Sequence, residues 1–279
     1  MKNKVFSHFL NAVWYFVVFL LIQFLVMLVV GALWYVGQDV EPLAAMQNVF
    51  NGQLAGDGMA MVVVSALSSV LTILVFVLCR WSPFSRRYLK TQPWGVLAWV
   101  VLLACGTIIP SEWLLEQMNV EMNEAAQHVF EQIMKEPWGY LALGMLAPVA
   151  EEVVFRGAIL RSLLRAFDRR WHWLPIVLSA LVFGAAHGNS AQFFHATLVG
   201  LLLGWMYYRT DSIVPGLVLH WVNNSVAYVL YNLLPQTSDE TLLELCNGNQ
   251  RLVYYALGCS LCIMLPSLFQ LAMRLPRRQ

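Results

Sequence analysis

Apolar residues in this chain gather in long unbroken runs, not in the alternation of a strand or the narrow stripe of a surface helix. The runs lie near residues 12–36, 58–79, 93–112, 139–164, 174–188, 193–208, 213–232 and 252–272. About 20 such residues cross the hydrocarbon core of a bilayer as a helix, so eight transmembrane spans are predicted. The fifth and sixth runs are short and joined by the tight segment Gly188-Asn-Ser-Ala-Gln192. Short, Gly-interrupted pieces persist at membrane depth where they line a cavity.

One extramembrane stretch has helical spacing of its own. Between Trp113 and Lys135, Met118, Met122, Ala125, Val129 and Ile133 recur on one face, with Glu116, Glu124 and Glu131 on others. This predicts an amphipathic helix over 113–136, either lying on the interface or bundle, or serving as a solvated connector. With no internal repeat, Pro- or Gly-rich linker or soluble domain, residues 1–279 read as a single transmembrane domain. The expected fold class is all-α: a polytopic integral membrane helix bundle.

Composition agrees, with 59% hydrophobic residues and only 12% charged, against about 25% charged in soluble domains. The spans sort the charges. Lys2, Lys4, Arg80, Arg86, Arg87, Lys90, Arg165, Arg169, Arg170, Arg209, Arg274, Arg277 and Arg278 fall on one side, and only Lys135 and Arg251 on the other. Acids gather opposite the basic side, at Asp39, Glu41, Asp57, the run from Glu112 to Glu136, Asp239, Glu240 and Glu244. By the positive-inside rule both termini are expected in the cytoplasm. A net charge of +1 offers no basic face for nucleic acid. Cys105, Cys259 and Cys262 lie in apolar runs, and Cys259 and Cys262 have no second CxxC to complete a metal site. The first run is too long for the h-region of a cleaved signal, so it is expected to remain as a span.

Against this background the segment APVAEEVVFRG, residues 147–157, is anomalous. It places Glu151, Glu152 and Arg156 within a span, where each charge costs at least about 2.5–3.5 kcal/mol. Glu152 and Arg156 are spaced i, i+4 and share a helix face on which they offset one another. Glu151 points about 100° away from that face. Other spans contain Phe183-Gly-Ala-Ala-His187, His195 and His220-Trp-Val-Asn-Asn224. A single His such as His195 more often hydrogen-bonds a neighbour than does chemistry. At about 1.5 Å per residue, Glu151, His187 and His220 all fall in the inner to middle bilayer, a depth that permits convergence.

A carboxylate, two imidazoles and an amide make a catalytic inventory. A buried carboxylate gains affinity for protons and suits a general base. A His with an Asn one turn on can donate hydrogen bonds to a developing oxyanion. No Ser or Cys stands beside a paired base, so activated water is favoured over an acyl-enzyme.

At these residues the chain resembles the CPBP family, which includes the Rce1-type CAAX prenyl proteases and the Abi bacteriocin-processing or immunity proteins. The family's motifs EExxxR, FxxxH and HxxxN occur in order as Glu151–Arg156, Phe183–His187 and His220–Asn224, across residues 139–232. The resemblance implies an intramembrane glutamic endopeptidase in which Glu151 and His187 activate water. His220 and Asn224 would stabilise the oxyanion, and Glu152, Arg156 and Phe183 would support the site. No cofactor is expected. The alternative is a catalytic zinc on Glu151, His187 and His220, which lack the compact HExxH spacing. The implied partners are the lipid bilayer and a membrane-embedded or membrane-associated peptide or protein, and the expected location is a bacterial plasma membrane. A competing reading is a non-catalytic membrane protein giving bacteriocin immunity or binding a partner peptide through the same polar cluster.

Overall fold

A computed structural model describes residues 2–83, 88–120, 122, 124–234 and 241–276, with residues 2–4 described by backbone alone. In chain order the α-helices are α1 (Lys2–Val36), α2 (Pro42–Phe50), α3 (Gly58–Leu78), α4 (Trp94–Gln117), α5 (Glu124–Lys135), α6 (Ala147–Glu151), α7 (Arg161–Ala166), α8 (Trp173–Ala185), α9 (Ser190–Thr210), α10 (Val214–Leu233), α11 (Leu242–Leu245) and α12 (Gln250–Arg274). Two π-helical segments, Tyr140–Leu146 and Glu152–Leu160, join α6 and α7 into one helical rod over 140–166. No strand occurs among the described residues.

The protein is a polytopic helical membrane protein. Val5–Val36, Gly58–Leu78, Trp94–Gln117 and Gln250–Arg274 are each long and apolar enough to cross a bilayer, and Trp173–Ala185 is a shorter apolar helix. Large apolar side chains such as Leu33, Leu78, Leu265 and Phe269 stay exposed along these helices, as lipid contact permits and water would not. Every run expected to span falls on helix. Arg86, Arg87, Asp239, Glu240, Arg277 and Arg278 lie outside the described residues, as do the side chains of Lys2 and Lys4.

The stretch expected to be one amphipathic helix over 113–136 is two. Residues Trp113–Gln117 continue α4, which ends at the cap Met118. Asn119 then takes φ +49°, a left-handed conformation that terminates helices and that Asn tolerates. The apolar spacing runs through this break because periodicity does not register one reversed residue.

The helices form two compact packing units. The first comprises Met1–Pro83 and Asn123–Asp168, and thus α1–α3, α5 and the rod 140–166. Trp34 at the end of α1 donates its indole N–H to Asp57 at 2.7 Å, while Asp57 caps α3 by accepting from the Ala60 amide at 3.0 Å. One carboxylate thereby fixes an α1–α3 corner. Ile133 of α5 joins Val62 and Ala142 in a buried cluster that Val129 also packs against, so α5 lies on the helices. On its other face Lys135 donates to Glu131 at 3.2 Å, which holds that carboxyl below the usual range. Phe155, fully buried, meets the ring of Phe19 edge-on at 5.5 Å.

The second unit comprises Phe84–Met122 and Arg169–Gln279, and thus α4 and α8–α12. Gly106 of α4 permits a close helix approach: a Cβ on it would stand 2.8 Å from the Met264 backbone nitrogen of α12. The Ser260 hydroxyl crosses the same seam to the Gly106 carbonyl at 3.1 Å, the small-residue packing that membrane helices favour. Helices α8 and α9 form a hairpin whose turn contains Gly188 at φ +72°. Asn189 starts α9 by accepting from the Gln192 amide at 2.9 Å. The Arg209 guanidinium closes α12, donating to the carbonyls of Ala272, Leu275 and Pro276.

Candidate active site

The first motif lies in the first unit, where the rod changes its winding. Glu151 is the last residue of α6, and the π segment starts at Glu152. Such loosened i→i+5 turns occur frequently at functional sites. The pair expected from i, i+4 spacing forms: Arg156 Nη1 donates to Glu152 Oε1 at 2.8 Å, with the two side chains 1% and 0% exposed. Each charge provides the other's counter-charge in a buried site, so that removing either one alone leaves the other uncompensated. Glu151, one position earlier, is only partly buried, so it is the more accessible of the two carboxylates.

The other motifs lie in the second unit. Phe183 is buried in α8, and its ring meets two imidazoles edge-on. Its centroid lies 5.1 Å from His187 at 88° and 5.7 Å from His220 at 83°. This aromatic brings His187 and His220, from different elements, into contact with one ring. His187 lies just beyond α8, in the turn after Ala185, and not within the helix as the spacing predicts. Its Nδ1–H donates back to the Phe183 carbonyl at 2.9 Å. A carbonyl can only accept, so the proton of the neutral ring is on Nδ1 and the lone pair is on Nε2. His220 is buried in α10 with 4% exposure, and Asn224 follows one turn later.

A hydrogen-bonded group that the sequence reading did not foresee adjoins these residues. The Asn223 amide donates to His195 Nε2 at 3.4 Å and to Asn224 Oδ1 at 3.5 Å. His195 on α9 thus has the neighbour-bonding role usual for a single imidazole, and Asn223 orients the motif's Asn224. Nothing in the spacing identifies Asn223, because its partner His195 belongs to another helix.

Residues 133–226 match the family described as type II CAAX prenyl endopeptidase Rce1-like. That stretch includes all three motifs. The protein named "Putative membrane peptidase YdiL", from Bacillus subtilis (strain 168), is 22% identical over 126 residues, covering 43% of this chain and 50% of YdiL. The chain therefore spans about half the length of the curated relative it matches. No solved structure matches it significantly. With three motifs in order inside the matched stretch, the chain is similar over residues 133–226 to the Rce1-like members of the CPBP family.

Proposed function

We propose that the protein is an intramembrane endopeptidase that hydrolyses a peptide bond with water activated by Glu151 and His187. The Glu151 carboxylate takes a proton from water, and the hydroxide oxygen adds to the scissile carbonyl carbon. His220 and Asn224 donate hydrogen bonds to the resulting oxyanion, worth about 2.7–4 kcal/mol per donor in a dry site. Collapse of this intermediate breaks the C–N bond, and the proton held by Glu151 passes to the leaving amine. Glu152, Arg156 and Phe183 support the site without touching the reacting atoms.

The observation that carries this reading is the His187 ring, anchored through Nδ1–H on the Phe183 carbonyl at 2.9 Å. That anchor presents Nε2 as an acceptor to orient a water. The same arrangement is chemically compatible with metal ligation, since metal-bound histidines are held through the other nitrogen in this way. The proposal assigns the metal-free glutamate mechanism because the candidate ligands lack compact zinc spacing. The substrate is a membrane-embedded or membrane-associated peptide or protein, and the setting is a bacterial plasma membrane with both termini cytoplasmic.

Two measurements test the proposal. Comparing the membrane peptidomes of cells making the wild-type protein or Glu151→Ala will reveal peptides that only the wild type produces. On such a peptide, purified Glu151→Ala and His187→Ala are expected to lose cleavage while melting within a few degrees of wild type. Unchanged cleavage in both variants overturns the mechanism. Activity abolished by chelation and restored by zinc overturns its metal-free form.

A further inference from the structure

The first unit contains a second polar site, separate from the three motifs. A half-open cavity of about 110 Å³ is lined by Arg80, Arg161 and Arg165, with His8, Asn11 and Ser162 among its other polar groups. Among the described residues, no acidic side chain lines it. Tyr15 and Trp81 form an aromatic wall, their rings 5.1 Å apart. The Ser162 hydroxyl is committed to the His8 carbonyl at 2.8 Å, which ties α7 to the start of α1 across the cavity floor. Arg80 sits just past the end of α3 at φ +57°, a conformation ordinarily given to Gly.

We propose that this cavity binds the phosphate group of an anionic ligand, with a membrane phospholipid headgroup as the first candidate source and free phosphate as the second. Three guanidinium groups lining one cavity repel one another. A phosphate neutralises them with forked hydrogen bonds that a carboxylate-free lining does not supply. The cavity offers several times the volume of about 10–15 Å³ that one water needs, and so admits a tetrahedral anion. The location favours a lipid. The lining comes from span ends on the side where basic residues gather, and Phe6, Phe9, Val13 and Trp14 of α1 stand exposed at the same level. Basic pockets between helices at the cytoplasmic level are suited to anionic headgroups.

The test uses the full-length protein in detergent, titrated with phosphatidylglycerol, phosphatidylcholine or inorganic phosphate. Bound adducts are counted by native mass spectrometry, and stability is followed by thermal melting. Phosphatidylglycerol is expected to add one retained molecule and raise the melting temperature, with phosphatidylcholine doing neither. In Arg161→Gln/Arg165→Gln that retention should weaken about tenfold or more. The single exposed variant Arg165→Gln, which leaves the packed positions intact, should weaken it in the same direction. Retention of inorganic phosphate, lost in the same variants, supports the site and assigns it to the free anion. Equal retention in wild type and both variants, or no preference for phosphatidylglycerol or phosphate over phosphatidylcholine, overturns it.

Discussion

Burying Glu152 and Arg156 at 0% and 1% exposure makes each residue depend on the other. Arg156→Ala leaves a carboxylate in a closed apolar site and is expected to cost about 3–5 kcal/mol, read as a large drop in melting temperature of detergent-solubilised protein. The double change Glu152→Leu/Arg156→Met removes both charges at similar volume and is expected to recover most of that loss. A double variant as unstable as the single one would show that the pair has more than a mutual charge-offsetting role. This pairing was legible in the sequence, since the separation of four residues and a helix suffice to predict it. The anchored ring of His187 was not, because its orientation depends on the turn that follows α8. The link between His195 and Asn223 was hidden for another reason: it joins two helices whose facing sides hydropathy does not reveal.

Helix lengths and approximate ends followed from the apolar runs, whereas the internal character of the helices did not. The π segments on either side of α6 leave no mark in residue spacing, and Asn119 breaks an amphipathic pattern that continues past it. Helix contacts depend on small residues, whose partners become visible only in three dimensions. Gly106 illustrates this: Gly106→Val must push α4 from the Met264 backbone and is expected to destabilise by about 1–3 kcal/mol. Gly258 on α12 has open space around its Cα, so Gly258→Ala should be neutral or slightly stabilising. Thermal melting of the two variants side by side checks the contrast. Equal effects would mean that the Gly106–Met264 approach does not hold the two helices together.

For the whole molecule, charge asymmetry and span count predict that the C-terminus faces the cytoplasm. A C-terminal green fluorescent protein fusion is therefore expected to fluoresce in bacterial cells, and a dark fusion of normal abundance would reverse the assigned orientation. Hydropathy and charge predict this topology but not the partition into two packing units. The chain leaves the first unit after Pro83, returns at Asn123 and leaves again after Asp168. No Pro- or Gly-rich linker marks those crossings.

The seam at Gly106 has a consequence for the order of assembly. Helix α4 is complete at Gln117, while the helix that fills its groove begins only at Gln250. At about 5–20 residues per second, the ribosome needs on the order of 7–26 s to make the intervening chain. Throughout that interval the bare glycine face of α4 waits in the bilayer. Chains that end before α12 retain that exposed seam, which makes premature termination, more than any single substitution, the event from which quality control would have to rescue this protein.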